Sequence, residues 1–260
     1  MLLFSLLLLL HLPAPTITIP VAAPLPPALY LSTDRGESWD GFSAGLPEDV
    51  QPREVLEHNG NLYLTALDYG LFVLPAGDCV WQHRNTGLPR DDKFAFFPTS
   101  IAAHGNTLLL GTFTNGIYLS KDGGAHWHRP VFNVSDVVGS LLFTDNLLLA
   151  GTHNGIWQSF DRGESWQLLR PDKNVRTNAI ALHGGKIFVA KQNGMGILTG
   201  RTVHWSDLVS RWAVIQLLRQ GDYLYAVSAK NEIYRTTDGT VWEAPTDFGS
   251  CLPADNLAAA

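Results

Sequence analysis

Basic charge is scarce in this 260-residue chain: 18 Lys and Arg stand against 24 Asp and Glu, a net charge of −6. Without a basic excess to neutralise phosphates, a generic nucleic-acid binder is excluded. Charge of either sign is thin, at 16% of residues. Cysteine is nearly absent. Cys79 and Cys251 cannot make a disulfide framework, and one bridge between them would require export. No stretch carries a long helical period. No apolar run reaches the roughly 20 residues that a membrane-spanning helix needs. Gly-rich phosphate loops, Ser nucleophile elbows, Asp-x-Asp-x-Asp-Gly calcium loops and His-x-x-x-His pairs are missing too. No cofactor and no metal site is expected.

What is present is repetition. Ser159-Phe160-Asp161-Arg162-Gly163-Glu164-Ser165-Trp166 recurs as Ser32-Thr33-Asp34-Arg35-Gly36-Glu37-Ser38-Trp39 and as Ser120-Lys121-Asp122-Gly123-Gly124-Ala125-His126-Trp127. The Asp accepts bonds from backbone N–H groups a few residues on, and the Gly permits a backbone shape that a Cβ resists. The Trp then anchors the next strand with a large apolar surface. Degenerate copies end at Trp81, Trp205 and Trp242. These six of the eight Trp residues are separated by 42, 46, 39, 39 and 37 residues. Short apolar runs bounded by Gly, Asn and Asp fill each interval. A period near 40 predicts about four strands per unit, as in a propeller blade. The expected fold is all-β, a propeller of about six four-stranded blades in one domain over 28–260. Apolar residues at 45%, with 24 Gly and 15 Pro, suit such a turn-rich fold.

The joints repeat as well. Gly45-Leu46-Pro47-Glu48-Asp49 follows Trp39, Gly87-Leu88-Pro89-Arg90-Asp91 follows Trp81, and Cys251-Leu252-Pro253-Ala254-Asp255 follows Trp242. The C-terminus therefore starts another unit, and the N-terminus supplies the two outer strands of an incomplete one. Together the two ends would complete a blade and remove exposed sheet edges. Residues 1–12 are nearly all Leu and precede a small-residue stretch at 21–23, so 1–23 reads as a secretory signal peptide, with 24–27 a Pro-rich linker. No Lys or Arg precedes the apolar run. The expected location is secreted, periplasmic or at the cell envelope, with no span left after cleavage.

The three full motifs, with degenerate copies at one period, resemble Asp-box (BNR) repeats over residues 29–242. Such repeats occur in sialidases, xyloglucan hydrolases, sortilin-type receptors, photosystem II assembly factors and bacterial envelope proteins. The Gly-Leu-Pro joint together with Gly116-Ile117-Tyr118-Leu119-Ser120 resembles proteins of the photosystem-stability-factor kind. The resemblance implies a propeller whose Asp boxes are structural turns: Ser32, Asp34, Gly36 and Trp39; Ser120, Asp122, Gly124 and Trp127; Ser159, Asp161, Gly163 and Trp166. It also implies that function sits on the opposite face, built from the loops between the second and third strands and between blades. Candidate contacts there are Asp68, Tyr69, Phe113, His153, Lys191 and Lys230, with Arg53, Arg176, Arg211 and Trp212 from the inter-blade loops. Phe94, Phe96 and Phe97 crowd one of those loops. His58, His104 and His183 fall in equivalent turns on the Asp-box side, which favours structural roles.

A sialidase would need an Arg-Ile-Pro segment ahead of the first box, and none occurs. A glycosidase needs two paired carboxylates, and nothing pairs Asp68 with Asp136. The expectation is an exported, non-enzymatic module that binds a protein or peptide, for assembly, sensing or scaffolding. The alternative is a carbohydrate-binding propeller or a diverged, sialidase-like glycoside hydrolase.

Overall fold

The computed structural model describes residues 28–244, apart from 33, 35–36, 90–96, 132–133, 135, 172–175, 193 and 207–212. The signal-peptide and linker assignments, Gly36, Phe94, Phe96, Arg211, Trp212 and Cys251 lie outside the described residues.

Every described element is a short strand. β1 (Tyr30–Leu31) and β2 (Asp40–Gly41) make a two-stranded sheet. The first full blade is β3 (Gln51–His58), β4 (Asn61–Leu67), β5 (Gly70–Leu74) and β6 (Gln82–His83). β7 (Pro98–His104), β8 (Thr107–Thr112) and β9 (Ile117–Ser120) form the second, and a bridge from Leu119 to His128 stands for its outer strand. The third is β10 (Val138–Phe143), β11 (Leu148–Thr152), β12 (Gly155–Ser159) and β13 (Gln167–Pro171). The fourth is β14 (Thr177–His183), β15 (Lys186–Lys191), β16 (Gly194–Thr199) and β17 (Thr202–Ser206). β18 (Val214–Gln220), β19 (Tyr223–Ser228) and β20 (Ile233–Thr236) form the fifth, with a bridge from Arg235 to Glu243. All pairings are antiparallel and sequential. The protein is a β-propeller. The described residues carry five blades and the β1–β2 hairpin, where the repeat spacing predicts about six units.

Blades pack face to face through apolar seams. Leu71, Val73, Leu108, Leu110 and Trp127 fill the seam between the first and second blades. Leu109, Leu119, Leu148 and Trp166 fill the next. Phe42 and Leu46, beside the hairpin, pack with Leu64, Phe72 and Trp81 of the first blade. Trp81, Trp127 and Trp166 are 3–4% exposed. An indole buries on the order of 200 Å², or about 5 kcal/mol as an upper bound at ~25 cal/mol/Å². Where it is buried, at Trp81, Trp127 and Trp166, the motif's Trp is thus a large part of the packing.

The inner strands neighbour one another in the order β3, β7, β10, β14, β18 and surround a central channel. Each carries a bulge at the same point, where register shifts around Arg53, Thr99, Gly139, Asn178 and Ile215. An extra residue bends a strand and re-aims its side chain. All five bulge residues line the channel.

Candidate functional site

The Asp-box face is built from structural bonds. Asp122 Oδ1 accepts from Ser120 Oγ at 2.8 Å and from the His126 N–H at 2.9 Å, while Gly124 N–H donates to Ser120 Oγ. Asp161 repeats this with Ser159 and Ser165, and Asp34 with Ser32 and Ser38. The hydroxyl of Ser38, its N–H and the hydroxyl of Ser32 hold the Asp34 carboxyl at about 2. Desolvation works against the same effect at Asp122, yet bonds from His126 and Ser120 still lower it to about 2. A carboxylate so engaged is a turn stabiliser rather than an acid–base group. The three histidines of the first turns tie blades together: His58 Nε2 to Gly105 O (2.7 Å), His104 to Asp145 (3.2 Å) and His183 to Thr237 O (2.8 Å).

The opposite face holds a cleft of ≈ 420 Å³ at the channel mouth, lined by Arg53, Phe97, Pro98, Thr99, Phe113 and Arg176. Local sequence explains each position. Arg53 is the bulge residue of β3. Phe97 and Arg176 immediately precede the inner strands β7 and β14. Phe113 immediately follows β8 and is tied back through its N–H to Phe97 O at 2.9 Å. The two Phe rings sit edge to face, 6.3 Å apart. Phe113 is 47% exposed. Gly139 makes room below Arg176: a Cβ there would meet Thr177 O at 2.1 Å and Arg176 Nε at 3.4 Å.

The cleft has a polar demand that the described residues do not meet. Arg176 Nε is buried with no hydrogen-bond partner among the described residues. Such a group is uncommon, and a ligand acceptor would satisfy it. The described lining contains no carboxylate. Glu54 lies deeper in the channel, where burial pushes its carboxyl up to about 7 against a bond from the Ile101 N–H. Below that pH it adds no charge to offset the arginines. A protein of net charge −6 therefore presents two guanidiniums and two aromatic faces at one opening.

Of the contacts expected from sequence, Phe113 and Arg176 meet in this cleft, joined by Arg53 and Phe97. Asp68 is exposed in the turn after β4, at a φ of 64°, and Tyr69 donates to Asp49 Oδ1 at 2.5 Å. His153 is half-buried, with its N–H on Val137 O. Asp136 joins its own loop to Asn154 N–H. Lys230 is exposed beyond β19. Lys191 corrects the sequence expectation: it is fully buried, with Nζ 5.4 Å from the centre of the Trp205 ring. Its position at the end of β15 sets it over Trp205 of β17 in the same blade rather than in solvent. Glu54 escaped sequence reading, although strand register places it level with Ser100 and Ser140.

This arrangement defines a propeller with a cationic, aromatic channel mouth. Known proteins share that fold. YCF48 from Cyanidioschyzon merolae superposes with a TM-score of 0.57 at 15% identity, over 82% of this chain and 76% of that one. YCF48 bound to D1 peptide matches at 0.57 and 14% identity, over 75% and 68%. An ancestral GH74 enzyme matches at 0.58 and 17% identity, over 80% of this chain and 32% of the enzyme. In sequence, a probable oligoxyloglucan-reducing end-specific xyloglucanase of Neosartorya fischeri is 25% identical over 198 residues, 57% of this chain. The match spans 24% of that enzyme. No protein-family model matches the chain.

Proposed function

We propose that this protein is an exported, non-enzymatic propeller that grips an extended segment of a partner polypeptide at its channel mouth. It would act in assembly, sensing or scaffolding. The carrying observation is the cleft in which Arg53 and Arg176 meet Phe97 and Phe113, with Arg176 Nε buried and without an acceptor among the described residues. Peptide backbones offer carbonyl acceptors at short intervals, and aromatic and Arg side chains are the groups that most often anchor such contacts. YCF48 bound to D1 peptide shows that a propeller of this fold can hold a peptide. Export draws its support from the leucine-rich residues 1–12.

The test is selection from a random peptide display library on immobilised protein, with an Arg176→Ala/Phe113→Ala variant beside it. Wild type should enrich a shared motif, and the variant should lose at least about tenfold in affinity for it, a loss of one anchor's worth. No enrichment, or equal enrichment by both proteins, overturns the assignment of the cleft. The likeness to the xyloglucanase and the GH74 enzyme supports a second reading, a carbohydrate-active propeller. Turnover of a glucan oligosaccharide that Asp68→Asn abolishes would establish that reading instead.

A further inference from the structure

On the Asp-box side, charged side chains bridge the rim at three seams. Between the second and third blades Lys121 Nζ pairs with Glu164, and His128 Nε2 lies 3.5 Å from the same carboxylate. Between the third and fourth, Arg201 Nε donates to Leu169 O at 2.8 Å. Between the fourth and fifth, Lys186 Nζ donates to Asp238 O at 2.8 Å. The seam between the first and second blades is tied at its inner end, where His58 and Asn59 both bond Gly105 O. Farther out it differs. Alignment on Trp81, Trp127 and Trp166 puts Pro75 where the second blade has Lys121, and Ala125 where the third has Glu164. Among the described residues no ion pair crosses this seam. A groove of ≈ 490 Å³ opens there, with Pro75 and Ala125 in its wall.

Polar groups converge on the groove from both blades. Asn59, Asn61, Tyr63 and Arg84 come from the first, Asn106 and Asp122 from the second. Much of their bonding capacity is unused. Asn59 Nδ2 donates to Gly105 O at 3.0 Å, and Asn61 Oδ1 accepts from the Ala76 N–H at 2.9 Å. Arg84 engages Nη2 with Gln82 Oε1 at 3.2 Å. The Asn106 amide makes no hydrogen bond among the described residues. Arg84 and the ionised Asp122 offset each other in charge. Tyr63 and Val73 are 3% and 4% exposed, so the groove offers polar edges and little apolar area. Gly105 and Gly123, at φ +57° and +67°, bring bare backbone to its wall.

An amide side chain presents a donor beside an acceptor, and a guanidinium presents a fork of donors. Neighbouring hydroxyls on a sugar ring, each able to donate and accept, match that set. An anion would face Asp122, and a polypeptide would find no apolar socket for an anchor. The volume falls in the range of small-molecule sites, about 300–1,000 Å³. We propose that this groove binds a neutral oligosaccharide, held across the seam between the first and second blades. The site lies on the face opposite the channel mouth and is independent of what that cleft holds. The sugar takes the place of the ion pair that closes the next seam, so its binding fastens the first blade to the second.

The test is an array of neutral gluco-, manno-, galacto- and xylo-oligosaccharides, with sialylated and sulfated glycans beside them. The best neutral binder is then titrated by calorimetry into full-length protein and two variants. Pro75→Lys/Ala125→Glu transplants the Lys121–Glu164 pair into the open seam and leaves every amide in place. Arg84→Ala/Asn106→Ala removes a guanidinium and an amide. All the replaced side chains are at least partly exposed, so both variants should melt near wild type. Each should lose at least about tenfold in affinity, the worth of a blocked groove or of two missing bonds. Saturating sugar should raise the melting midpoint of wild type and of neither variant. No neutral binder, a preference for charged glycans, or undiminished affinity in either variant overturns the proposal. Loss of sugar binding in Arg176→Ala/Phe113→Ala would put the sugar at the channel mouth and overturn it too.

Discussion

Glu54 occupies the place that serine fills in the next two blades. Ser100 Oγ accepts from the Leu141 N–H and Ser140 Oγ from the Ile180 N–H, each bridging to the following inner strand. Glu54 Oε2 makes the same bridge to the Ile101 N–H at 2.9 Å. The carboxyl serves as an acceptor whether or not it is ionised, but burial penalises the charge and lifts its pKa to about 7 from 4.5. The folded state then binds more protons than the unfolded one between those values. Stability is complete below about pH 4.5, the unfolded value, and is lost as pH rises through about 7. Glu54→Gln keeps an acceptor and removes the titration. Thermal melts from pH 4.5 to 8 should show a midpoint that falls with pH more steeply in wild type than in Glu54→Gln. Parallel profiles would mean that Glu54 does not carry this dependence.

At the scale of the turn, hydrogen bonds and packing contribute separately, and two copies of one motif tell them apart. Asp161 and Asp34 accept equivalent bonds, yet Trp166 is 3% exposed and Trp39 61%. Asp161→Ala loosens a turn that positions a buried anchor. It should cost about 1 kcal/mol in urea unfolding after allowing for solvent screening. Asp34→Ala should cost measurably less, because its turn positions an exposed indole. Equal losses would show that the turn acts without its tryptophan. Turns and joints of this kind were legible from sequence because Asp, Gly and Trp at fixed spacing answer to local rules. The fourth strands of the second and fifth blades shrink to single bridges, at His128 and Glu243, which periodicity cannot distinguish from full strands. The bulges were hidden, since Arg53, Thr99, Gly139, Asn178 and Ile215 share a place and no residue type. The cleft was legible only in part. Phe113 and Arg176 stood out as loop residues on the right face, but their meeting depends on the curvature of the ring. Lys191 misled for the opposite reason: a lysine at a strand end reads as solvated until Trp205 is seen beneath it.

Across the whole molecule the blades form a chain of nearest neighbours. In such an array each unit's stability is its own plus that of its seams. The second, third and fourth blades have an apolar seam on both faces, visible in the full burial of Leu109, Leu149 and Val189. The fifth blade packs on the fourth through Phe188, Val214, Leu224 and Ala226, while Leu218 on its other flank is 47% exposed. Local opening should therefore begin at β18–β20 and at the β1–β2 hairpin. In native-state hydrogen exchange, amides of β8, β11 and β15 should be at least about a hundredfold slower than those of β18 and β19, the equivalent of one partly missing seam. Uniform exchange across the five blades would mean that the ring opens as one body. The channel mouth depends on the answer. Arg53 belongs to the first blade and Arg176 to the fourth, so their separation is set by how rigidly the intervening seams hold. If the outer blades open first and these seams last, the two guanidiniums keep a fixed spacing while the ring's ends move. Under that condition, ligand affinity at the cleft should be unchanged by Leu224→Ala, which hollows the seam between the fourth and fifth blades, even though the melting midpoint falls.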